Sequence, residues 1–113
     1  MLFICTDSTA EEIPADDETL MEWQAEVDRR GIAIAGDRLR GPRDAATVKV
    51  RDGRLIVTDG PFVETKEYIG GFDILECDSL EDVVDVASRH PMARYGQIEI
   101  RPFWPLADTP RET

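Results

Sequence analysis

Apolar and polar side chains follow one another along this chain in short runs, and the period of each run predicts a helix or a strand. Residues 1–6 carry apolar side chains at both odd and even positions, which is typical of a strand in the middle of a sheet covered on both faces. A helical period follows over residues 16–30, and Gly31 ends it. The apolar stripe of this helix is formed by Leu20, Met21, Trp23 and Val27.

The middle of the chain has the two-residue period of strands. A strand containing Ile32 and Ile34 leads to a turn at Gly41-Pro42. Thr47–Arg51 and Arg54–Thr58 are joined by Asp52-Gly53, a strong hairpin signal, so we predict a two-stranded ribbon over residues 47–58.

The last third repeats the order strand, helix, strand. Gly71–Cys77 is the strand, and Ser79 with Asp82 three residues later is typical of a helix start. The apolar stripe of this second helix is Leu80, Val83, Val84 and Ala87. Pro91 ends the helix, Gln97–Phe103 is the final strand, and residues 105–113 form a tail outside a single domain of residues 1–104.

The order of these elements predicts an α+β fold of the ferredoxin-like βαββαβ type with an extra β-hairpin. Two split βαβ units give an antiparallel sheet with two helices on one face. The other face of the sheet is then left bare. Because a second copy of the chain is the simplest cover for it, we predict a homodimer with sheets packed face to face.

Charge limits the classes of partner. The chain of 113 residues has a formal net charge of −11, which repels phosphate backbones and anionic lipid, so we expect neither nucleic-acid nor membrane binding. The apolar opening of residues 1–6 has no basic leader and is too short for a signal sequence, no membrane span is evident, and we expect a cytoplasmic protein. Residues 1–28 hold nine acids and no Lys or Arg; they form either a solvated helix face or a docking surface for a basic protein.

The turn at Asp59-Gly60-Pro61 is the main candidate for chemistry. An Asx-turn from Asp59 would need the N–H of Pro61, which has none, so the carboxylate must find another partner. Asp59 is therefore a candidate catalytic acid or base, and the alternative is a structural turn acid. Beyond it, Phe62 is the candidate aromatic lining of a pocket, and Glu64 and Lys66 are candidate substrate contacts.

Two further residues, Arg101 and His90, are candidates for function. Arg101 and Glu99 alternate with Ile98 and Ile100, so Arg101 either clamps a carboxylate in a cleft or pairs with Glu99 in solvent. His90, the sole histidine, lies before Pro91, where a positive charge suits the end of a helix, and a structural role is favoured.

No cofactor is expected from the motifs present. Cys5 and Cys77 lie in apolar runs and are expected to be reduced thiols acting as small hydrophobes. The sequence contains no Cys/His cluster with metal-ligand spacing, no G-x-G-x-x-G after a strand and no P-loop.

Three segments together resemble the DGPF-domain branch of the YCII-related family. They are Val57-Thr58-Asp59-Gly60-Pro61-Phe62-Val63-Glu64-Thr65-Lys66-Glu67, then Gly70-Gly71-Phe72, and finally Ile98-Glu99-Ile100-Arg101-Pro102. The resemblance runs from Met1 to about Trp104. It implies a ferredoxin-like fold that pairs as a dimeric α/β barrel, with a largely undefined biochemical role.

The resemblance also implies where a site would be. Family members with a His–Asp pair in the cleft between subunits are regarded as enzymes, and one relative acts on a chlorinated hydroxyquinone. The histidine is expected near Leu20, but residues 16–30 contain none, and only the acidic half of the pair is available, at Asp59. DGPF members often sit beside extracytoplasmic-function sigma factors in bacterial genomes.

Two functions therefore remain open from the sequence. One is a small cofactor-independent enzyme of the proton-transfer, lyase, isomerase or dehalogenation type, acting on a small oxygenated or aromatic compound with Asp59 as base and Arg101 or Lys66 as anion holder. The other is a non-catalytic metabolite-binding or accessory protein that acts with a regulator such as a sigma factor.

Overall fold

The computed structural model describes residues 1–14, 17–61 and 67–104. Six strands make up two sheets: β1 (Leu2–Cys5), β2 (Ala33–Arg38), β3 (Ala46–Arg51), β4 (Arg54–Asp59), β5 (Ile69–Leu75) and β6 (Gln97–Ile100). Three helices accompany them: α1 (Thr19–Arg29), α2 (Leu80–Ser88) and α3 (Met92–Tyr95). A short 3-10 turn at Pro42–Asp44 precedes β3.

The larger sheet has four antiparallel strands in the order β2-β5-β1-β6. Strand β1 therefore lies in the middle, as its two-sided apolar pattern predicts. Leu2 is opposite Asp73 on β5 and opposite Ile100 on β6. The α+β class and the antiparallel sheet are confirmed, and this strand order is consistent with a ferredoxin-like fold.

The helices cover one face of this sheet. The buried core comprises Leu2, Ile4, Trp23, Val27, Val86 and Ala87. Leu2 and Ile4 are two residues apart on β1, so they lie on the same face, and the helical residues pack against that face. The indole N–H of Trp23 donates a hydrogen bond of 2.9 Å to the carbonyl oxygen of Val86, which joins α1 to α2.

The apolar stripes predicted for the two helices are too wide. Leu20, Met21, Leu80 and Val84 are all at least 50% exposed. Met21 and Val84 each lie two residues from a buried residue, Trp23 or Val86, and are therefore about 200° around the helix axis from it. Each helix thus contacts the sheet through a narrow line of side chains, and several large apolar groups remain in solvent.

The end of α2 also differs from the prediction. Ser79 caps the helix as expected, since its hydroxyl accepts a hydrogen bond of 3.2 Å from the backbone N–H of Asp82. Pro91, however, precedes the short helix α3, which the sequence pattern did not predict. Proline suits the start of a helix, where its missing N–H is not needed.

His90 lies between α2 and α3 and is 4% exposed. Its Nδ1 accepts a hydrogen bond of 3.0 Å from the N–H of Met92, and its ring meets the Trp23 ring edge-on at 4.6 Å. Burial lowers the pKa of His90 to about 4, because the charged form loses its hydration. The predicted positive charge is therefore wrong, and the side chain packs as a neutral core group.

Strands β3 and β4 form the predicted ribbon as a separate two-stranded sheet. At its tip, Asp52 has a φ of 52° and Gly53 a φ of 74°. Two successive positive φ values define a type I′ turn, which matches the twist of a hairpin. The hairpin predicted at Asp52-Gly53 is thus confirmed.

Candidate functional site

Asp59 is the last residue of β4 and lies opposite Ala46 at the base of the ribbon. Its carboxylate is exposed and makes no hydrogen bond or ion pair within the described ranges 1–14, 17–61 and 67–104. The following turn is held by two bonds: the Gly60 N–H donates to the carbonyl of Ala45 at 2.7 Å, and the Thr47 hydroxyl donates to the carbonyl of Gly60 at 2.8 Å.

The backbone after Asp59 takes a conformation that suits glycine. Gly60 has a φ of 95°, in the left-handed half of the backbone map, where a side chain would be strained. Within the described residues, this turn fixes the position of Asp59 and donates no hydrogen bond to its carboxylate. The sequence argument that Pro61 removes the usual Asx-turn partner agrees with this geometry.

Three of the predicted site residues, Phe62, Glu64 and Lys66, lie outside the described residues. Glu67, the next acid along the chain, accepts hydrogen bonds of 3.1 Å and 2.8 Å from the N–H and the hydroxyl of Ser8. It therefore ties the segment before β5 to the loop after β1.

Arg101 follows β6 and is paired with Glu99. The distance from its Nε to Glu99 Oε2 is 2.7 Å, and both side chains are more than half exposed. The guanidinium carbon also lies 5.7 Å from the centre of the Phe3 ring, within reach of a cation–π contact. Of the two alternatives for Arg101, the structure therefore shows the ion pair with Glu99. The rest of the guanidinium is exposed to solvent.

These groups share the face of the sheet that points away from the helices. Phe3 is directly opposite Phe72 on β5 and Glu99 on β6, and opposite residues of antiparallel strands point to the same side. We call this surface the bare sheet face; its members are Phe3, Cys5, Phe72, Ile74 and Glu99. Its apolar members are all half-buried, and the core contacts of the helices lie on the other side.

The helix-covered side of the sheet carries a carboxyl group that the sequence pattern did not predict as a site residue. Asp73 lies opposite Leu2, whose side chain is in the core, so the two share that side of the sheet. Asp73 is half-buried and has no hydrogen bond or ion pair with any described residue. Burial raises the pKa of this carboxyl from its ordinary 3.8 to about 6, because water solvates the charged form less well there.

Gly36 gives the Asp73 side chain its space. The two residues are paired across β2 and β5, and a Cβ on Gly36 would lie 2.2 Å from Asp73 Oδ1. The carboxyl group therefore lies directly against the Cα of Gly36, where any other residue would collide with it. Asp73 was not among the predicted site residues, although an acid between Phe72 and Ile74 in an apolar strand is a signal for a buried carboxyl group.

The other ionisable groups offer less for chemistry. Cys5 and Cys77 are free, and burial raises the pKa of both thiols, so neither is activated as a nucleophile. Within the part of the chain that the structure describes, no three His, Cys, Asp or Glu side chains are grouped to hold a metal ion. The described part also has no helix long and apolar enough to cross a bilayer.

Part of the acidic N-terminal stretch serves local structure. Glu11 accepts two hydrogen bonds, of 2.6 Å and 3.2 Å, from the guanidinium of Arg94, which lowers the pKa of Glu11. Asp17 accepts hydrogen bonds from the hydroxyl and the N–H of Thr19 at the start of α1, and these lower its pKa. These acids hold the N-terminal loop and α1 in place.

The candidate groups thus fall into three places. Asp59 lies on the ribbon, Arg101 on the bare sheet face, and Asp73 on the helix-covered face, and no hydrogen bond or ion pair joins any two of them in the described structure. A substrate held by Arg101 is on the opposite side of the sheet from Asp73. Within the described residues of a single chain, Asp73 and Arg101 therefore do not share one site.

Comparison with known proteins gives one family and one relative. A model of the YCII-related domain matches residues 1–107. An uncharacterized protein of Rhizobium meliloti (strain 1021) is 37% identical over 95 residues, which cover 78% of this chain and 76% of that protein. The match covers all six strands and three helices.

Proposed function

Because this chain belongs to the YCII-related family, whose biochemical role the comparisons leave open, we propose from its own geometry that it is a small cofactor-independent enzyme of the proton-transfer type. Its substrate is a small oxygenated or aromatic compound. The observation that carries this proposal is the Asp73 carboxyl, half-buried and without a partner against Gly36.

Asp73 has the properties that general acid–base catalysis asks of a carboxyl group. An acid with a pKa of about 6 is present in both protonation states near neutral pH, so it both accepts and returns a proton. A carboxyl that already had an Arg or backbone partner would be held in its ionised form. Neither oxygen of Asp73 is engaged in a hydrogen bond with a described residue, so a proton on this carboxyl has no competing partner there.

A structural role explains Asp73 less well. A half-buried carboxylate that makes no hydrogen bond destabilises a fold, and an apolar residue opposite Leu2 would extend the core. Groups that weaken a fold in this way are concentrated at functional sites. This is the physical support for assigning the proton-transfer step to Asp73.

The second candidate is ligand binding on the bare sheet face, with Arg101 as the anion holder. The observation that favours it is the position of the Arg101 guanidinium over the Phe3 ring, a combination that suits an aromatic carboxylate or phenolate. Asp59 stays a proposed contact in this candidate, in a cleft between two copies of the chain. A regulator such as a sigma factor as partner belongs to this non-catalytic alternative.

The two candidates are separated by one isotope-exchange experiment on matched variants. A panel of small oxo acids, phenols and hydroxyquinones is incubated in D₂O, and exchange of carbon-bound hydrogen is followed by NMR. We expect exchange with the wild type, loss of it in Asp73→Asn, and retention in Asp59→Asn and in Arg101→Gln.

Each other outcome has a definite meaning. Exchange that survives Asp73→Asn but fails in Asp59→Asn would move the reaction to the ribbon and refute the role of Asp73. If no compound exchanges, thermal-shift binding of the same panel tests the second candidate. Ligand stabilisation that depends on Arg101 and not on Asp73 would then establish a binding protein in place of an enzyme.

A further inference from the structure

Strands β2 and β5 bring two residue pairs together on the helix-covered side of the sheet. Gly36 is paired with Asp73, and Arg38 is paired with Gly71. Directly opposite residues point to the same side of a sheet, and so do residues two apart on one strand. All four residues therefore share the side on which the Asp73 carboxyl lies. Asp73 and Arg38 are diagonal neighbours there, and we call the two glycines beside them the glycine floor.

The glycine floor leaves bare backbone between the two charged side chains. A Cβ on Gly36 would collide with Asp73 Oδ1, and a Cβ on Gly71 would lie 2.9 Å from the carbonyl oxygen of Asp37. Neither position therefore accepts a side chain without a shift of its neighbours. Gly36 is exposed, and β2 is at the edge of the four-stranded sheet, so the space above the floor opens to solvent.

Neither charged side chain has a partner among the described residues. Arg38 is exposed, and its guanidinium makes no hydrogen bond or ion pair with residues 1–14, 17–61 and 67–104. The same holds for the Asp73 carboxyl, although the long side chain of a diagonal neighbour can reach it. Burial raises the pKa of Asp73, whereas an ion pair with Arg38 would lower it. An acid and a cation thus lie side by side without neutralising each other.

We propose that Arg38 binds the carboxylate of the substrate on which Asp73 acts, and that this substrate is a small oxo acid. A guanidinium group pairs with a carboxylate through two parallel hydrogen bonds, which fixes the orientation of a small flat molecule. Two residues along a strand span about 6.5 Å, so a molecule of this size fits between the two side chains with its carboxylate on Arg38. The carbon next to its carbonyl group then faces Asp73. The inference rests on the proposed proton transfer at Asp73 and names its substrate class.

Arg38 fills a role that the other candidate cations leave open. Arg101 lies over the Phe3 ring on the bare sheet face, which is the opposite side of the sheet from Asp73. Lys66 lies outside the described residues. Arg38, by contrast, belongs to the strand that pairs with Asp73 and shares its side. The acid and its anion holder therefore come from one protomer and one strand pair.

The reaction step is a reversible enolisation. Ionised Asp73 takes a proton from the carbon next to the carbonyl group of the oxo acid. The electron pair of the broken C–H bond forms the C=C bond of the enolate, and the carbonyl π electrons move to the oxygen. In D₂O the protonated carboxyl exchanges its proton with solvent and returns a deuteron to the same carbon. The substrate is recovered with one hydrogen replaced, so atoms and charge balance without a further reactant.

The test compares pyruvate with its methyl ester in D₂O, with exchange of the methyl hydrogens followed by NMR over a range of concentrations. The ester has the same carbonyl and methyl groups and no negative charge. Arg38→Gln is expected to raise KM for pyruvate by about 10- to 100-fold, the loss typical of a hydrogen bond to a charged group. It should leave kcat for pyruvate and both constants for the ester unchanged, because the carboxylate contact is the same in the ground and transition states.

Two further variants show that the effect belongs to this guanidinium. Arg38→Lys keeps the charge without the paired donors, so its KM for pyruvate should lie between those of the wild type and Arg38→Gln. Arg54→Gln is the matched control, since Arg54 is an exposed arginine on the ribbon whose side chain also has no partner in the described part of the chain. It should behave like the wild type with both compounds.

The outcomes separate this inference from the proposal on which it rests. Exchange that requires Asp73 but shows the same KM for pyruvate in Arg38→Gln as in the wild type overturns the inference and leaves proton transfer standing. Exchange of phenols or hydroxyquinones and of no oxo acid has the same meaning. A pH profile that Arg38→Gln shifts equally for both compounds would show that Arg38 acts on the Asp73 carboxyl, and would also overturn its role as a carboxylate holder.

Failure of the proposed reaction has its own signature. If the wild type exchanges no compound of the wider panel, proton transfer at Asp73 is refuted, and calorimetric titration with pyruvate then tests Arg38 alone. Binding to the wild type that is lost in Arg38→Gln and kept in Arg54→Gln supports the carboxylate site without catalysis. Equal binding to all three proteins, or none to the wild type, overturns both proposals.

Discussion

Replacement of Asp73 by Asn should make this protein more stable at neutral pH. The substitution keeps the shape of the side chain and its place against Gly36, and it removes only the charge. Because the ionised carboxylate is half-buried and has no described partner, its charge opposes folding.

The magnitude follows from the pKa of Asp73. Burial raises this pKa from 3.8 to about 6. One pKa unit corresponds to about 1.4 kcal/mol, so the full difference would be about 3 kcal/mol. Water still reaches half of the group and screens part of that energy, and we therefore expect Asp73→Asn to add about 1–2 kcal/mol to the free energy of unfolding at pH 7.5.

The sign of the pH dependence is fixed by which state binds the proton. Between pH 4 and pH 6, the folded protein holds a proton on Asp73 that the unfolded chain has lost. The stability contributed by Asp73 therefore falls as the pH rises through this window. The gain from Asp73→Asn should be present at pH 7.5 and absent at pH 4.

His90 acts in the opposite sense over nearly the same range. Its pKa is lowered from 6.5 to about 4. Between these two pH values the unfolded chain therefore holds a proton on His90 that the folded protein does not bind. The stability contributed by His90 rises as the pH rises from 4 to 6.5. The effects of Asp73 and His90 on the pH dependence of stability partly cancel in the wild type. In Asp73→Asn, the free energy of unfolding should therefore rise with pH as the titration of His90 alone requires.

The assay is urea unfolding followed by tryptophan fluorescence, at several pH values between 4 and 7.5. Asp59→Asn is the control, because it removes an exposed carboxylate with no described partner and should leave the curves unchanged. A stability of Asp73→Asn equal to or below that of the wild type at pH 7.5 would refute the account, since it would mean that the carboxylate has a favourable partner.

Three further substitutions test other contacts. Gly36→Ala should lower stability by about 1–3 kcal/mol, measured by urea unfolding, because the new methyl group collides with the Asp73 carboxyl. His90→Ala should cost about 2–4 kcal/mol in the same assay, since it opens a void beside Trp23 and leaves the Met92 N–H without an acceptor. Ser79→Ala should cost about 1 kcal/mol and reduce helical circular dichroism, because the cap of α2 is lost.

Local chemistry explains which parts of the fold were predictable. Asp52-Gly53 specifies the ribbon because few residues accept two positive φ values in succession. Ser79 caps the start of α2 because its hydroxyl oxygen accepts a hydrogen bond from the backbone N–H of Asp82. These signals act within three or four residues, so a sequence displays them directly.

Burial was harder to predict because it depends on distant elements. The periodicity of α1 places Leu20 and Met21 on its apolar side, but packing against the sheet decides which side chains are buried, and both of these remain exposed. The side of the sheet that Asp73 faces follows from its register with Leu2, which lies more than seventy residues earlier. That register is not visible in the strand itself, and the acid was passed over for this reason.

The middle position of β1 also has a consequence for synthesis of the chain. Leu2–Cys5 is synthesised well before its two partners, Ile69–Leu75 and Gln97–Ile100. The ammonium group of Met1 is even bonded to the carbonyl of Arg101, at 2.6 Å. The four-stranded sheet therefore cannot form until β6 has been made, and the apolar segment of residues 1–6 lacks its partner strands until then. Chaperones that bind short apolar segments thus have their best opportunity at residues 1–6 during this interval.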